Sequence, residues 1–174
     1  SAVLGIPGDS KTFWFAGAGG GVFKSTNAGV TFEAQFENEW AYVVGALALA
    51  PSDHNVVWLG SGEGDPRNSV GYGNGVYRST DGGNNWTHLG LDNTERIKRI
   101  VVHPENPDTA LVCALGHEWG ANEDRGVFKT TDAGQTWDKV LYVDQDTGCS
   151  DLDMDLSNPR NLYAGMWTFR RQPW

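Results

Sequence analysis

The amino-acid sequence predicts an all-β chain: a partial β-propeller of four-stranded antiparallel blades, about three and a half of them. Three observations carry this. The stretch from Gly75 to Trp86, GVYRSTDGGNNW, recurs from Gly21 to Phe32 as GVFKSTNAGVTF and from Gly126 to Trp137 as GVFKTTDAGQTW, so that Ser25, Ser79 and Thr130 stand 54 and 51 residues apart. A period near 50 residues is one supersecondary unit repeated. Glycine is abundant at 23 of 174 residues and tryptophan at 8, and no long apolar stretch has helical periodicity.

Each copy reads as strand, tight turn, strand. Gly-Val-aromatic-basic alternates like a half-buried strand, the Asp of Thr-Asp-Gly-Gly accepts from nearby backbone amides, and the closing aromatic anchors the hairpin. With the repeat as a ruler, each unit divides into strands A to D, A innermost and D at the rim. Unit one places A at 2–6, B at 12–17, C at 21–26 and D at 31–36. Unit two places them at 43–50, 56–61, 75–80 and 85–90. Unit three places them at 97–103, 109–115, 126–131 and 136–143. A fourth unit begins with A at 150–156 and B at 161–166. The blades therefore span about 1–36, 43–90 and 97–143, with a half-blade at 150–174. A propeller cut through a blade leaves a strand edge and an apolar flank open to self-association.

The pattern Ser/Thr-x-Asp-x-Gly-x-Thr-Trp resembles the Asp-box, or BNR repeat, of sialidases, xyloglucanases, the sortilin luminal domain and bacterial proteins described as glycosyl hydrolases with BNR repeats. The matching positions are Ser25, Asn27, Gly29 and Phe32, then Ser79, Asp81, Gly83 and Trp86, then Thr130, Asp132, Gly134 and Trp137. Asn27 replaces Asp, Phe32 replaces Trp and Asn85 replaces Thr, changes that leave the turn intact. The segments 60–69, 114–120 and 140–144 also look like parts of the bacterial BNR-repeat and sortilin-like group. The resemblance implies an N-terminal part of a longer secreted or periplasmic propeller protein. It implies no particular reaction, because a fold is not a site.

Composition narrows the partners. A net charge of −9 and a pI near 4.7 argue against nucleic acid, whose phosphates need a basic surface. No apolar run approaches the ~20 residues of a membrane span. Cys113 and Cys149 read as free thiols, one in a strand and one in a loop; the alternative is a disulfide tying neighbouring repeats together, which fits secretion. Their spacing matches no metal motif, and no cofactor is read from the sequence.

Because strands alternate in direction, the A-to-B and C-to-D turns share one face of the propeller and the B-to-C and D-to-A loops share the other. The Asp-boxes are C-to-D turns and read as structural. The long B-to-C loops at 62–74 and 116–125 exceed what a hairpin needs and surround the channel mouth, whereas unit one has only Ala18, Gly19 and Gly20 there. The fourth unit's loop begins at Trp167 and runs through Phe169 to Trp174. Aromatic rings stack on sugar CH faces, and Asp, Glu and Arg bond sugar hydroxyls. Trp119 and Trp167 are therefore candidate platforms for a carbohydrate or peptide ligand, with Glu63, Arg67, His117 and Arg125 as polar partners. Asp65 and Glu118 are candidate catalytic carboxyls, since glycoside hydrolysis needs two of them about 5 to 10 Å apart. The competing reading pairs Arg67 with Asp65 and Arg125 with Asp124 to hold the loops, and packs Trp119 between blades. On strand A of unit four, Asp151 faces Arg99 near the channel, with a cation held by Asp151 and Asp153 as the alternative.

Overall fold

The structure, a computed structural model, describes residues 2–168, 170 and 171. The expectations for Phe169 and Trp174 lie outside the described residues. The chain folds as a partial β-propeller. The first sheet orders β1 (Ala2–Gly5), β2 (Phe13–Gly17), β3 (Gly21–Ser25) and β4 (Glu33–Ala34), and the second β5 (Val44–Ala50), β6 (Asp53–Ser61), β7 (Val76–Ser79) and β8 (Thr87–His88). The third orders β9 (Ile97–Val102), β10 (Ala110–Ala114), β11 (Gly126–Thr130) and β12 (Asp138–Leu141), and β13 (Thr147–Met154) pairs with β14 (Leu162–Thr168) in a two-stranded fourth. Every pairing within these sheets is antiparallel.

The rim strands are shorter than their alternation suggests: β4 and β8 hold two residues each. Pairing continues past them irregularly, as in Gln35 N–H to the Val22 carbonyl at 2.8 Å and Leu89 N–H to the Val76 carbonyl at 2.8 Å. A strand with one neighbour tolerates such irregularity, because its other edge meets water.

Strand β5 is largely buried along its length, which fits its near-continuous apolar run. Three apolar layers fill the gaps between sheets. Trp14, Phe36, Leu59 and Tyr77 lie between the first and second, Trp58, Ile97, Ile100 and Val112 between the second and third, and Leu111, Cys113, Leu152 and Met154 between the third and fourth. The approach is close enough that a Cβ on Gly45 would overlap the Ile97 carbonyl oxygen.

The repeated turn is closed by its own side chains. The hydroxyls of Ser25, Ser79 and Thr130 accept from the N–H groups of Gly29, Gly83 and Gly134 at 2.8, 2.8 and 2.9 Å. Four residues beyond each Asn or Asp, a backbone N–H donates back to its side chain: Thr31 to Asn27, Asn85 to Asp81 and Thr136 to Asp132. These bonds hold the Asp81 carboxyl near a pKa of about 2, overcoming burial that pushes it upward. Asp132 is also held near 2, chiefly by the Thr136 hydroxyl.

The turn's final aromatic then staples blades together. Trp86 Nε1 donates to the Gln35 carbonyl at 2.8 Å, and Trp137 Nε1 to the Leu89 carbonyl at 2.8 Å, each reaching back to the preceding sheet. The basic residue before the turn reaches forward: Lys24 Nζ lies 2.8 Å from the Gly82 carbonyl, and Arg78 Nη2 lies 2.5 Å from Asp108. Phe32 has no N–H and packs edge-on against Phe13, with ring centroids 5.7 Å apart.

The reading of the cysteines as free thiols is overturned. Cys113 and Cys149 are not free thiols; they form a disulfide between β10 and β13, with Cα atoms 5.0 Å apart. Strand β13 starts at Thr147, three residues before its apolar alternation begins, so Cys149 sits in the strand beside β10 instead of in a loop. The inner strands border a cleft of about 600 Å³ lined by Leu47, Leu49, Lys98, Arg99 and Asp153 among others. There Arg99 Nε stands 4.0 Å from Asp151 Oδ1, with both side chains exposed. Asp151 and Asp153 each accept from the next residue's N–H. No helix among the described residues is long and apolar enough to cross a membrane.

Candidate binding site

The loop at 62–74 is folded around one buried carboxylate. Glu63 takes a two-pronged bond from Arg67, Nε to Oε1 at 2.7 Å and Nη2 to Oε2 at 2.8 Å, and also accepts from Gly71 N–H at 3.3 Å. Its own N–H donates to the Gly71 carbonyl at 2.9 Å, which closes the loop. Arg67 therefore pairs with Glu63 and not with Asp65. Asp65 is exposed and bonds Lys98 of β9, which holds its carboxyl below the usual range.

The loop at 116–125 is folded around a buried cation. Arg125 donates to the carbonyls of Leu115 at 2.7 Å, His117 at 2.8 Å and Gly120 at 3.1 Å. Three backbone oxygens thus accept from it, and burial lowers its pKa. A guanidinium with these partners and no solvent exposure shapes the loop from within.

Glu118 sits at the centre of a network crossing three units. Its side chain is fully buried and ion-paired with the equally buried Arg96, and Arg171 Nε lies 3.0 Å from its second oxygen. Arg96 Nε also donates to the Gly116 carbonyl at 2.8 Å. Arg171 N–H donates to the Glu118 carbonyl at 2.9 Å, residues 119 and 171 form a parallel bridge, and the Arg171 guanidinium reaches Asn68 in the second unit's loop. Glu118 thus links the loops, and its carboxylate does not reach the open surface.

Beside this network lies a half-accessible acid and imidazole. His117 Nε2 is 3.3 Å from Glu95 Oε1 and 3.1 Å from the Asn93 carbonyl. Glu95 has φ of 53°, a conformation non-glycine residues rarely adopt. Burial raises the pKa of its carboxyl, while His117, Arg96 and Arg125 pull the other way.

Of the two candidate platforms, Trp119 is 38% exposed on this face, held by its bridge to residue 171. Trp167 is 48% exposed but lies inside β14, opposite Gly148, and not in a loop. The structure brings Glu63 with Arg67, Asp65 with Lys98, and Glu118 with Arg96 and Arg171. Arg96 and Lys98, together with Glu95 beside His117, escaped the sequence reading. They stand where the second unit's last strand passes to β9, on the face shared with the B-to-C loops, and that shared face was the available signal.

No family model matches the chain. A protein of Neosartorya fischeri named as a probable oligoxyloglucan-reducing end-specific xyloglucanase is 29% identical over 136 residues, covering 75% of this chain and 15% of that protein. Among solved structures, an ancestral GH74 enzyme superposes with a TM-score of 0.76 at 22% identity, over 97% of this chain and 22% of its own. The GH74 enzyme of Niastella koreensis gives 0.71 at 21% identity, over 93% and 24%. At such identities the structural likeness shows the fold, a β-propeller. The chain spans less than a quarter of the length of each of these three proteins.

Proposed function

We propose that the long-loop face binds carbohydrate, as one portion of a larger secreted or periplasmic propeller protein whose three turns are Asp-boxes. The observation that carries this reading is Trp119: a half-exposed indole locked by a backbone bridge, beside loops whose charged side chains are already oriented by partners. A rigid aromatic with oriented polar neighbours suits sugar rings, since little side-chain freedom is lost on binding. The likeness to a protein named as a xyloglucanase supports carbohydrate as the ligand class. The buried Cys113–Cys149 disulfide supports an oxidising compartment.

Binding is favoured over hydrolysis by the assigned acids, because Glu118 is buried between two guanidiniums and Asp65 is bonded to Lys98. The experiment is calorimetric titration of the chain with xyloglucan. Trp119→Ala is expected to weaken binding about tenfold while leaving the melting temperature unchanged. Joint loss of binding and fold would instead make Trp119 a packing residue.

Glycoside hydrolysis remains as a second reading, with Glu95, whose raised pKa and strained backbone suit a proton donor, and with the second carboxylate that the reaction needs supplied by the rest of the larger protein. In that case Glu95→Gln abolishes release of reducing sugar and leaves binding in place.

A further inference from the structure

The connection at 37–43 between the first and second sheets lies on the face of the long loops. Its last four residues alternate: Trp40 and Tyr42 stand 73% and 66% exposed, while Ala41 and Val43 are buried. The alternation leaves the Trp40 and Tyr42 side chains bare on either side of the buried Ala41, just before β5 begins. The backbone here is pinned, with Gly21 N–H donating to the Tyr42 carbonyl and Gly62 N–H to the Val43 carbonyl, both at 2.9 Å. The Val43 side chain packs where a Cβ on Gly71 would stand. Tyr72, 51% exposed, follows directly, so Tyr42 and Tyr72 flank the same Val43–Gly71 contact. Arg67 extends from this loop, 60% exposed and oriented by Glu63.

Two tyrosines and a tryptophan left bare on a pinned backbone forgo the stabilisation that burying a large apolar side chain brings, and exposed aromatic surface rimmed by polar groups marks a contact site. We propose that Trp40, Tyr42 and Tyr72 form an aromatic strip that takes the chain of an uncharged polysaccharide. The proposal rests on the carbohydrate reading above and names the ligand class for a second stretch of that face. Neutrality follows from the charges nearby. The cation of the adjoining loop is matched, Arg67 by Glu63, and so is Lys98 of β9, by Asp65. Glu37 and Glu39 precede the strip in a chain of net charge −9, so an anionic polymer meets repulsion with no compensating basic patch in this loop.

The test is calorimetric titration of the chain with tamarind xyloglucan and hydroxyethyl cellulose, with polygalacturonate as the anionic comparison. The Trp40→Ala/Tyr42→Ala variant is expected to bind both neutral polymers about tenfold more weakly, with an unchanged melting temperature because both side chains are exposed. Wild-type affinity retained in this variant, or preference for polygalacturonate, overturns the strip. If Trp119→Ala weakens binding and the strip variant does not, the strip falls and the carbohydrate reading stands. If the wild type binds none of the three polymers, both fall together.

Discussion

Glu118→Gln is the sharpest test of how the long-loop face is built. The substitution keeps the shape and one acceptor oxygen but removes the negative charge that Glu118 sets against Arg96 inside the protein, where both side chains are fully buried. Breaking a buried pair from one side costs about 3–5 kcal/mol, because the remaining charge is left uncompensated. The position of Arg171 at the second oxygen, 3.0 Å away, adds a second cation to the deficit. For a chain of this size each kcal/mol corresponds to about 2–4 °C in melting temperature, so the variant is expected to melt roughly 10 °C lower. Thermal unfolding followed by circular dichroism reads this directly. Replacing both partners, Arg96→Met with Glu118→Leu, should recover most of the loss, since an apolar pair needs no compensating charge. A Glu118→Gln variant melting within 2 °C of the parent would refute the reasoning and would return the carboxylate to the list of candidate acids.

Three further outcomes follow from the same structure. Removing the Cys113–Cys149 bridge by double serine substitution opens a loop of 36 residues, worth about 4 kcal/mol by chain entropy, so the melting temperature should fall by about 10 °C in non-reducing buffer; no change would place the stabilisation elsewhere. Asp81 and Asp132 have folded pKa values near 2, below the ordinary 3.8, so the stability they confer is complete above about pH 4 and is lost as pH falls through 2. The Asp81→Asn/Asp132→Asn variant should fold, as Asn27 does in the first unit, and should show a flatter melting profile between pH 4 and 2; an unchanged slope contradicts the assignment. Trp137→Phe deletes the indole N–H that reaches the Leu89 carbonyl, a loss of about 1–2 kcal/mol, and calorimetry should show a fall of a few degrees; an unaltered melting temperature would mean the staple contributes nothing.

The fold was legible because the repeated turn needs particular side chains at fixed spacing. A hydroxyl must meet a glycine N–H four residues on, and a carboxylate or amide must meet another N–H four residues on; that demand is local and survives in the sequence. The pairings in the long loops were not legible, because they depend on which segments converge in space. Arg67 lies two residues from Asp65 yet pairs with Glu63, one helical-turn spacing away, while Asp65 turns to Lys98 on the next sheet. The disulfide stood as the alternative to free thiols, and not as the leading reading, for a related reason. Thr147 and Gly148 carry no apolar alternation, so only the pairing of β13 with β14 reveals that the strand has already begun.

The way the site is held follows from this difference. The blades are fastened by short-range turns and by tryptophan staples that each link two neighbouring sheets. The long-loop face is fastened by charged and polar side chains from three units: Asn68 from the second, Arg96 and Glu118 around the third, and Arg171 from the fourth. Trp119 is positioned through its bridge to residue 171, whose side chain bonds both Glu118 and Asn68. The position of Trp119 is therefore coupled to blade packing, whereas the segment of Trp40 and Tyr42 is pinned by bonds to the first two sheets. Substitutions in the Glu118 network should accordingly weaken the Trp119 surface and spare the strip, which makes the two portions of the face separable by mutation.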